Sequence, residues 1–157
     1  VVAKEKLKID DEIVSSTDIR KLLYKGEMRE VVEVLGRHYS LYEEVIEGNK
    51  LGRTIQIPTA NQLIPRDKII PPYGVYATSI NIDGIIYKGI SNLGMKPTVN
   101  GKQLGLETHI FDFSEDIYHK KIEVSFIEYI RAERKFNSFQ ELNNQLISDI
   151  AHVKEKF

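Results

Sequence analysis

The sequence predicts a mainly antiparallel β fold, a sheet or small barrel carried between two helical ends. Three observations predict it. Apolar residues recur at helical intervals in residues 15–37 and again after Ser138, but from Tyr39 the period changes to two. Asp83-Gly84 sits between two alternating runs, a strong hairpin signal. The strand candidates also follow one another with no helix between them, which argues against a parallel sheet built from crossover helices.

Each element can be justified in order. SSTDIRKLLYKGEMREVVEVLGR (15–37) reads as two short helices. Ser16 or Thr17 can cap the first, Ile19, Leu22 and Leu23 give it one apolar face, and Gly26 ends it. Met28, Val31, Val32 and Leu35 form the stripe of the second, ended by Gly36. Helix packing explains both without any ligand. YSLYEEVIEG is a strand candidate, and PPYGVYATSINIDGIIYKGISNLG holds two strands around the Asp83-Gly84 turn. LETHIFDF and KIEVSFIEYIR read as a further pair around the polar SEDIYHK. In the closing helix, Ser138 and Glu141 have capping-box spacing, and Phe139, Leu142, Leu146, Ile150 and Val153 supply a face to cover an open side of the sheet.

Composition bounds the function. A length of 157 residues suits one ordinary domain, and 41% apolar residues suffice for a core. With a formal net charge of −1 there is no general pull toward nucleic acid or anionic lipid, so any phosphate site must be local. No cysteine is present, which excludes disulfides and thiolate metal sites and suits a reducing cytoplasm. No apolar run could cross a bilayer, and the first residues lack the order of a signal peptide. The chain begins on Val and reads as a cut from a longer one.

Residues 48–61, GNKLGRTIQIPTAN, join a glycine-rich turn, a basic residue and a hydroxyl. They are not a P-loop, since Gly48 and Gly52 are one residue too close and Arg53 stands where lysine belongs. Another phosphate site remains open. Glycines permit close backbone approach, Arg53 offers a forked donor, and Pro58 fixes the chain before Thr59, a hard oxygen ligand suited to Mg²⁺. Asn61 falls on the same side as Thr59 if the segment is extended. A Gly turn followed by a Pro-Thr-Ala-Asn loop, with no ligand, explains the stretch equally well.

A second cluster bears on that choice. LETHIF places Glu107 and His109 on one face of a strand, with Phe111 and Phe113 continuing it. An acid in such a row is either a solvent contact at a strand edge or a carboxylate kept for chemistry, and phosphorylation of a hydroxyl needs a proton acceptor. His109 alone reads as structural, and the four histidines show no zinc-ligand spacing.

Taken in order, GNKLGRTIQIPTAN, PPYGVYA, NLGMKPTVNG, LETHIFDF and IEYIRAERKFNSFQELNNQLISDI resemble the riboflavin kinase family over residues 38–157. The resemblance implies a six-stranded antiparallel Greek-key barrel with a C-terminal α-helix, and ATP-dependent phosphorylation of the riboflavin 5′-hydroxyl to give FMN and ADP. It places Gly48, Leu51, Gly52 and Arg53 in the loop over the ATP phosphates. Thr59 and Asn61 would coordinate Mg²⁺ and those phosphates, and Glu107 would take the proton from the hydroxyl. Arg131 resembles the family's basic residue beyond the last strand, near flavin and phosphate, and would with Glu107 and Asn61 make up the catalytic set. Lys96 in GMKPT stands where arginine is common; it keeps the charge but not the fork, and no catalytic role is assigned to it.

The leader resembles the junction of the bacterial bifunctional riboflavin kinase/FMN adenylyltransferase. That implies residues 1–37 are a helical remnant of an adenylyltransferase module and linker, and 38–157 the kinase domain. Ser15, Ser16, Thr17 and Arg20, which would help hold ATP in the whole module, are expected to be uncommitted here, so that the chain makes FMN but not FAD. A non-catalytic flavin- or nucleotide-binding barrel is the rival reading. A single-stranded nucleic-acid binder is disfavoured by the charge and by the lack of a basic–aromatic stripe.

Overall fold

The computed structural model describes residues 8–9, 12–13, 15–48, 57–98 and 101–157. Two short strands, β1 (Lys8–Ile9) and β2 (Glu12–Ile13), pair antiparallel ahead of the helices, an element the periodicity did not announce. Helix α1 (Ser16–Lys25) is capped by Ser15, not by Ser16 or Thr17. The Ser15 hydroxyl accepts from the Asp18 N–H, and the Asp18 carboxylate accepts from the Ser15 N–H and hydroxyl. This reciprocal capping box selects Ser15 among three consecutive hydroxyl residues, because an acid lies three positions on. Ser15 is therefore committed, contrary to expectation. Gly26 then takes a left-handed φ of 77° and ends α1, and Gly36, with φ 72°, ends α2 (Met28–Leu35).

Six strands follow: β3 (Ser40–Ile46), β4 (Ala60–Leu63), β5 (Gly74–Ile82), β6 (Ile85–Thr98), β7 (Gly101–Ile110) and β8 (Lys121–Ala132). They close into an antiparallel barrel in the order β3-β4-β7-β6-β5-β8. The order β8-β5-β6-β7 is a Greek key, three meandering strands with the fourth returned beside the first. The β5–β6 turn forms as expected: Asp83 and Gly84 have φ of 52° and 88°, the two positive values of a type I′ hairpin. The expected pairing of β7 with β8 does not form. β7 lies between β4 and β6, whereas β8 lies between β3 and β5. The connection between them is no hairpin loop: it buries Phe111 and Ile117. Positive φ at Asp112 also ends the run before Phe113, which leaves the face of Glu107 and packs edge-on against Tyr87.

Strand alternation sorts the side chains into an inner and an outer face. Leu41, Val45, Ile64, Tyr76, Ile80, Leu93, Leu106, Val124 and Phe126 fill the interior, each almost fully buried. Three buried hydroxyls, Thr78, Ser91 and Thr108, satisfy one another across β5, β6 and β7 at 2.8 Å each. Leu23, Met28 and Val31 of the leader belong to the same apolar cluster. Each is worth about 1.5–3 kcal/mol on burial, which anchors two helices too short to be stable alone.

The last helix, α3 (Phe139–Lys154), covers no open edge, because the barrel is closed. It lies instead on the outer face, where Val75, Ala77, Ile90, Phe111 and Val153 form a second core. Ser138 caps it by accepting from the Glu141 N–H at 3.1 Å. The Glu141 carboxylate reaches one residue further back than a capping box requires, to the Asn137 N–H at 2.9 Å.

Candidate functional site

The strand register aligns one row of residues on the outer face. Asn61 on β4 opposes Glu107 on β7, which opposes Asn92 on β6; Asn92 opposes Val75 on β5, and Val75 opposes Arg131 on β8. With strands spaced about 4.8 Å apart, Asn61 and Asn92 flank Glu107 directly, whereas Arg131 lies three strands, roughly 14 Å, away. Asn61 and Glu107 are thus brought together, and Arg131 stands at the other end of the row.

At the Asn61 end the row meets a pocket of about 370 Å³, whose walls include Gly48, Pro58, Thr59, Asn61, Thr108 and Tyr118. Thr59 and Asn61 lie side by side, as an extended segment requires. The Asn61 amide donates to the Thr59 carbonyl at 3.2 Å and to its hydroxyl at 3.5 Å. Gly48 faces the same amide, and a Cβ there would overlap it, so this glycine is needed for the close approach. Leu51, Gly52 and Arg53 lie outside the described residues.

His109 has the structural use expected of it. Its Nδ1 is 2.9 Å from the Pro58 carbonyl oxygen, and the ring packs edge-on to Phe111. It pins the chain immediately before Thr59.

Among the described residues, no cluster of three or more His, Cys, Asp or Glu side chains could hold a metal ion. The pocket beside Thr59 does carry two carboxylates, Glu115 and Asp116, but a cation bound there would still need further oxygens from a ligand. A half-turn of the Asn61 amide exchanges its nitrogen for its oxygen and puts two hard donors together, a set that fits Mg²⁺ arriving with phosphate.

Glu107 does not stand free. Its Oε2 is 3.2 Å from Nζ of Lys96, the residue to which the sequence assigned no role. Arg131 lies within β8 rather than beyond it, and its donors are engaged. Nε and Nη2 bond Asp149 of α3 at 2.6–3.1 Å, and Nη1 bonds the Ala132 carbonyl. Asp149 accepts in addition from Gln145 at 2.7 Å. Sequence reasoning missed Asn92, Asp149 and the Lys96 contact, because cross-strand register and helix docking leave no mark at fixed sequence spacing.

Comparison with known proteins identifies the family. The family model described as riboflavin kinase matches residues 35–157. A bifunctional riboflavin kinase/FMN adenylyltransferase from Haemophilus influenzae is 42% identical over 150 residues, which are 95% of this chain and 48% of that protein. The chain therefore spans about half the length of that relative. A crystal structure described as a macrolide-efflux protein from Streptococcus pneumoniae superposes with a TM-score of 0.85 at 32% identity, over 97% of this chain and 50% of the other. No helix among the described residues here is long and apolar enough to cross a membrane. A riboflavin kinase from Trypanosoma brucei shares the fold, with a TM-score of 0.53 at 19% identity over 74% of this chain and 78% of that one.

Proposed function

The chain belongs to the riboflavin kinase family, and on that premise we propose that it transfers the γ-phosphoryl group of ATP to the 5′-hydroxyl of riboflavin, giving FMN and ADP. The observation that carries the assignment is the outer row, which sets the carboxylate of Glu107 between Asn61 and Asn92, beside the pocket that holds Thr59. Glu107 accepts the hydroxyl proton as the oxygen attacks phosphorus and ADP leaves. Thr59 and Asn61 orient the triphosphate, with Gly48, Leu51, Gly52 and Arg53 in the loop above it. Mg²⁺, when bound, neutralises charge on the phosphate oxygens. Phosphoryl transfer has a loose transition state, so holding the hydroxyl in line and excluding water are the protein's main contributions. Arg131, fixed by Asp149, holds α3 against the sheet at the far end of the row, where flavin and phosphate would lie.

The domain division at residues 37 and 38, fusion to an N-terminal FMN adenylyltransferase module, and action in the cytoplasm complete the proposal; a relative about twice as long supports the fusion. Chromatography of a mixture of the chain, riboflavin and Mg-ATP tests it. Accumulation of FMN is expected. Riboflavin binding without FMN would leave only a flavin-binding barrel, and a growing FAD peak would mean the leader had been misread.

A further inference from the structure

We infer that Lys96 is a positioning residue for Glu107, fixing one carboxylate oxygen so that the other faces the acceptor hydroxyl; this rests on the phosphoryl-transfer reading above. Lys96 opposes Gln103, whereas Glu107 opposes Asn92. The two residues are therefore two rows apart on one face, roughly 13 Å along the strands. They meet only by stretching toward each other across the intervening row, and that row is Gly94 opposite Gly105. Neither residue of that row contributes a side chain of its own, and the group that enters the space is the Glu133 carboxylate, which reaches over Gly94. A Cβ on Gly105 would lie 2.8 Å from Lys96 Cγ, and a Cβ on Gly94 would overlap the Glu133 carboxylate.

The glycine track lets the lysine stem lie flat on the sheet. Its side chain is only 17% exposed, while that of Glu107 is 40% exposed. A glutamate that open, with three rotatable bonds, would sample many orientations. The ammonium 3.2 Å from Oε2 removes most of them and leaves Oε1 outside that contact. A proton acceptor must lie within hydrogen-bond reach of its hydroxyl, and a displacement of about 1 Å can lower a rate 100-fold.

Steady-state phosphorylation of riboflavin by K96M, K96R and G105A, with K96M also placed in an E107Q background, tests the assignment. Thermal melting of each variant confirms that it is folded. K96M should lower kcat roughly 10- to 100-fold and move KM for riboflavin and Mg-ATP less than about twofold. K96R should recover most of the rate, because a guanidinium can restore the contact. G105A keeps both charges and crowds chiefly the stem, with a lesser contact 3.3 Å from the Gln62 carbonyl oxygen, so it should show the K96M pattern to a smaller degree. In the E107Q background the lysine change should do nothing further, since a residue acting through Glu107 has no effect once the base is gone. A full second loss in that background, or a raised KM for Mg-ATP with kcat intact, would show Lys96 acting on phosphate directly and overturn the inference. If the wild-type chain makes FMN and K96M is indifferent, this inference alone fails; if the wild-type chain makes none, the kinase reading fails with it.

Discussion

Lys96–Glu107 and Arg131–Asp149 join the same two kinds of group on the same outer face, yet they are built in opposite ways. The first carboxylate is 40% exposed and has one contact to its cation. The second is 5% exposed, is gripped by two nitrogens of a planar fork, and accepts a further bond from Gln145. A buried, fully bonded carboxylate has no lone pair left for a substrate, so Asp149 can only hold α3 to the barrel. A half-exposed carboxylate with only one oxygen pinned can still receive a proton. Equal charge thus gives two different capacities, and exposure with bond count decides which.

The comparison can be broken at each end. Glu107→Gln keeps the shape and removes the acceptor, and kcat should fall roughly 10²–10⁴-fold with melting temperature and ligand affinity nearly unchanged. Normal turnover would deny Glu107 its role. Asp149→Ala should do the reverse, lowering stability by about 3 kcal/mol because the Arg131 guanidinium is left without its partner. Denaturant unfolding measures this, and replacing both partners by apolar residues should recover much of the loss.

Two smaller effects sharpen the contrast. Thr59→Ala removes a proposed oxygen ligand, so the variant should need about 10- to 100-fold more magnesium for half-maximal rate, while riboflavin binding stays intact. An unchanged magnesium titration would rule Thr59 out as a ligand. Glu128 offers a third ion-pair design, joining Arg29 of α2 and Lys156 after α3, each at 3.0 Å. Burial opposes its ionised form, but the hydrogen bonds from Lys156 and Arg29 outweigh that and hold its carboxyl below the usual glutamate range. A lowered folded value means the stabilisation is present above the unfolded value and is lost as pH falls through the folded one. Glu128→Gln should therefore cost less than about 1 kcal/mol at neutral pH, and the gap to wild type should close in acid.

Legibility in the sequence followed the range of the interaction. The β5–β6 hairpin was readable because Asp83-Gly84 specifies its own turn within four residues. Thr59 and Asn61 were readable as neighbours because alternation alone puts them on one side. The pairing of β7 was not readable: alternation says which way Glu107 faces, but not that β4 and β6 would lie beside it. Lys96 was passed over for the same reason, since eleven positions separate it from Glu107 and only the register brings them together. Arg131 could be recognised as a basic residue near the site. That its donors would be spent on Asp149 depended on where α3 docks.

The seam of the barrel also bears on how fast the chain can fold. β5, β6 and β7 are neighbours in sequence and can assemble by short excursions, but β3 must find β8, with Ser40 opposite Ser125, more than half the chain away. Of the strand pairings in the barrel, this one carries the largest loop-closure entropy. Folding should therefore run in milliseconds to seconds rather than microseconds, with closure of the seam as the late event. Glu107 lies on one of the early strands, but Asn61 comes to it only through β4, so the row beside the base is completed only as the cylinder closes.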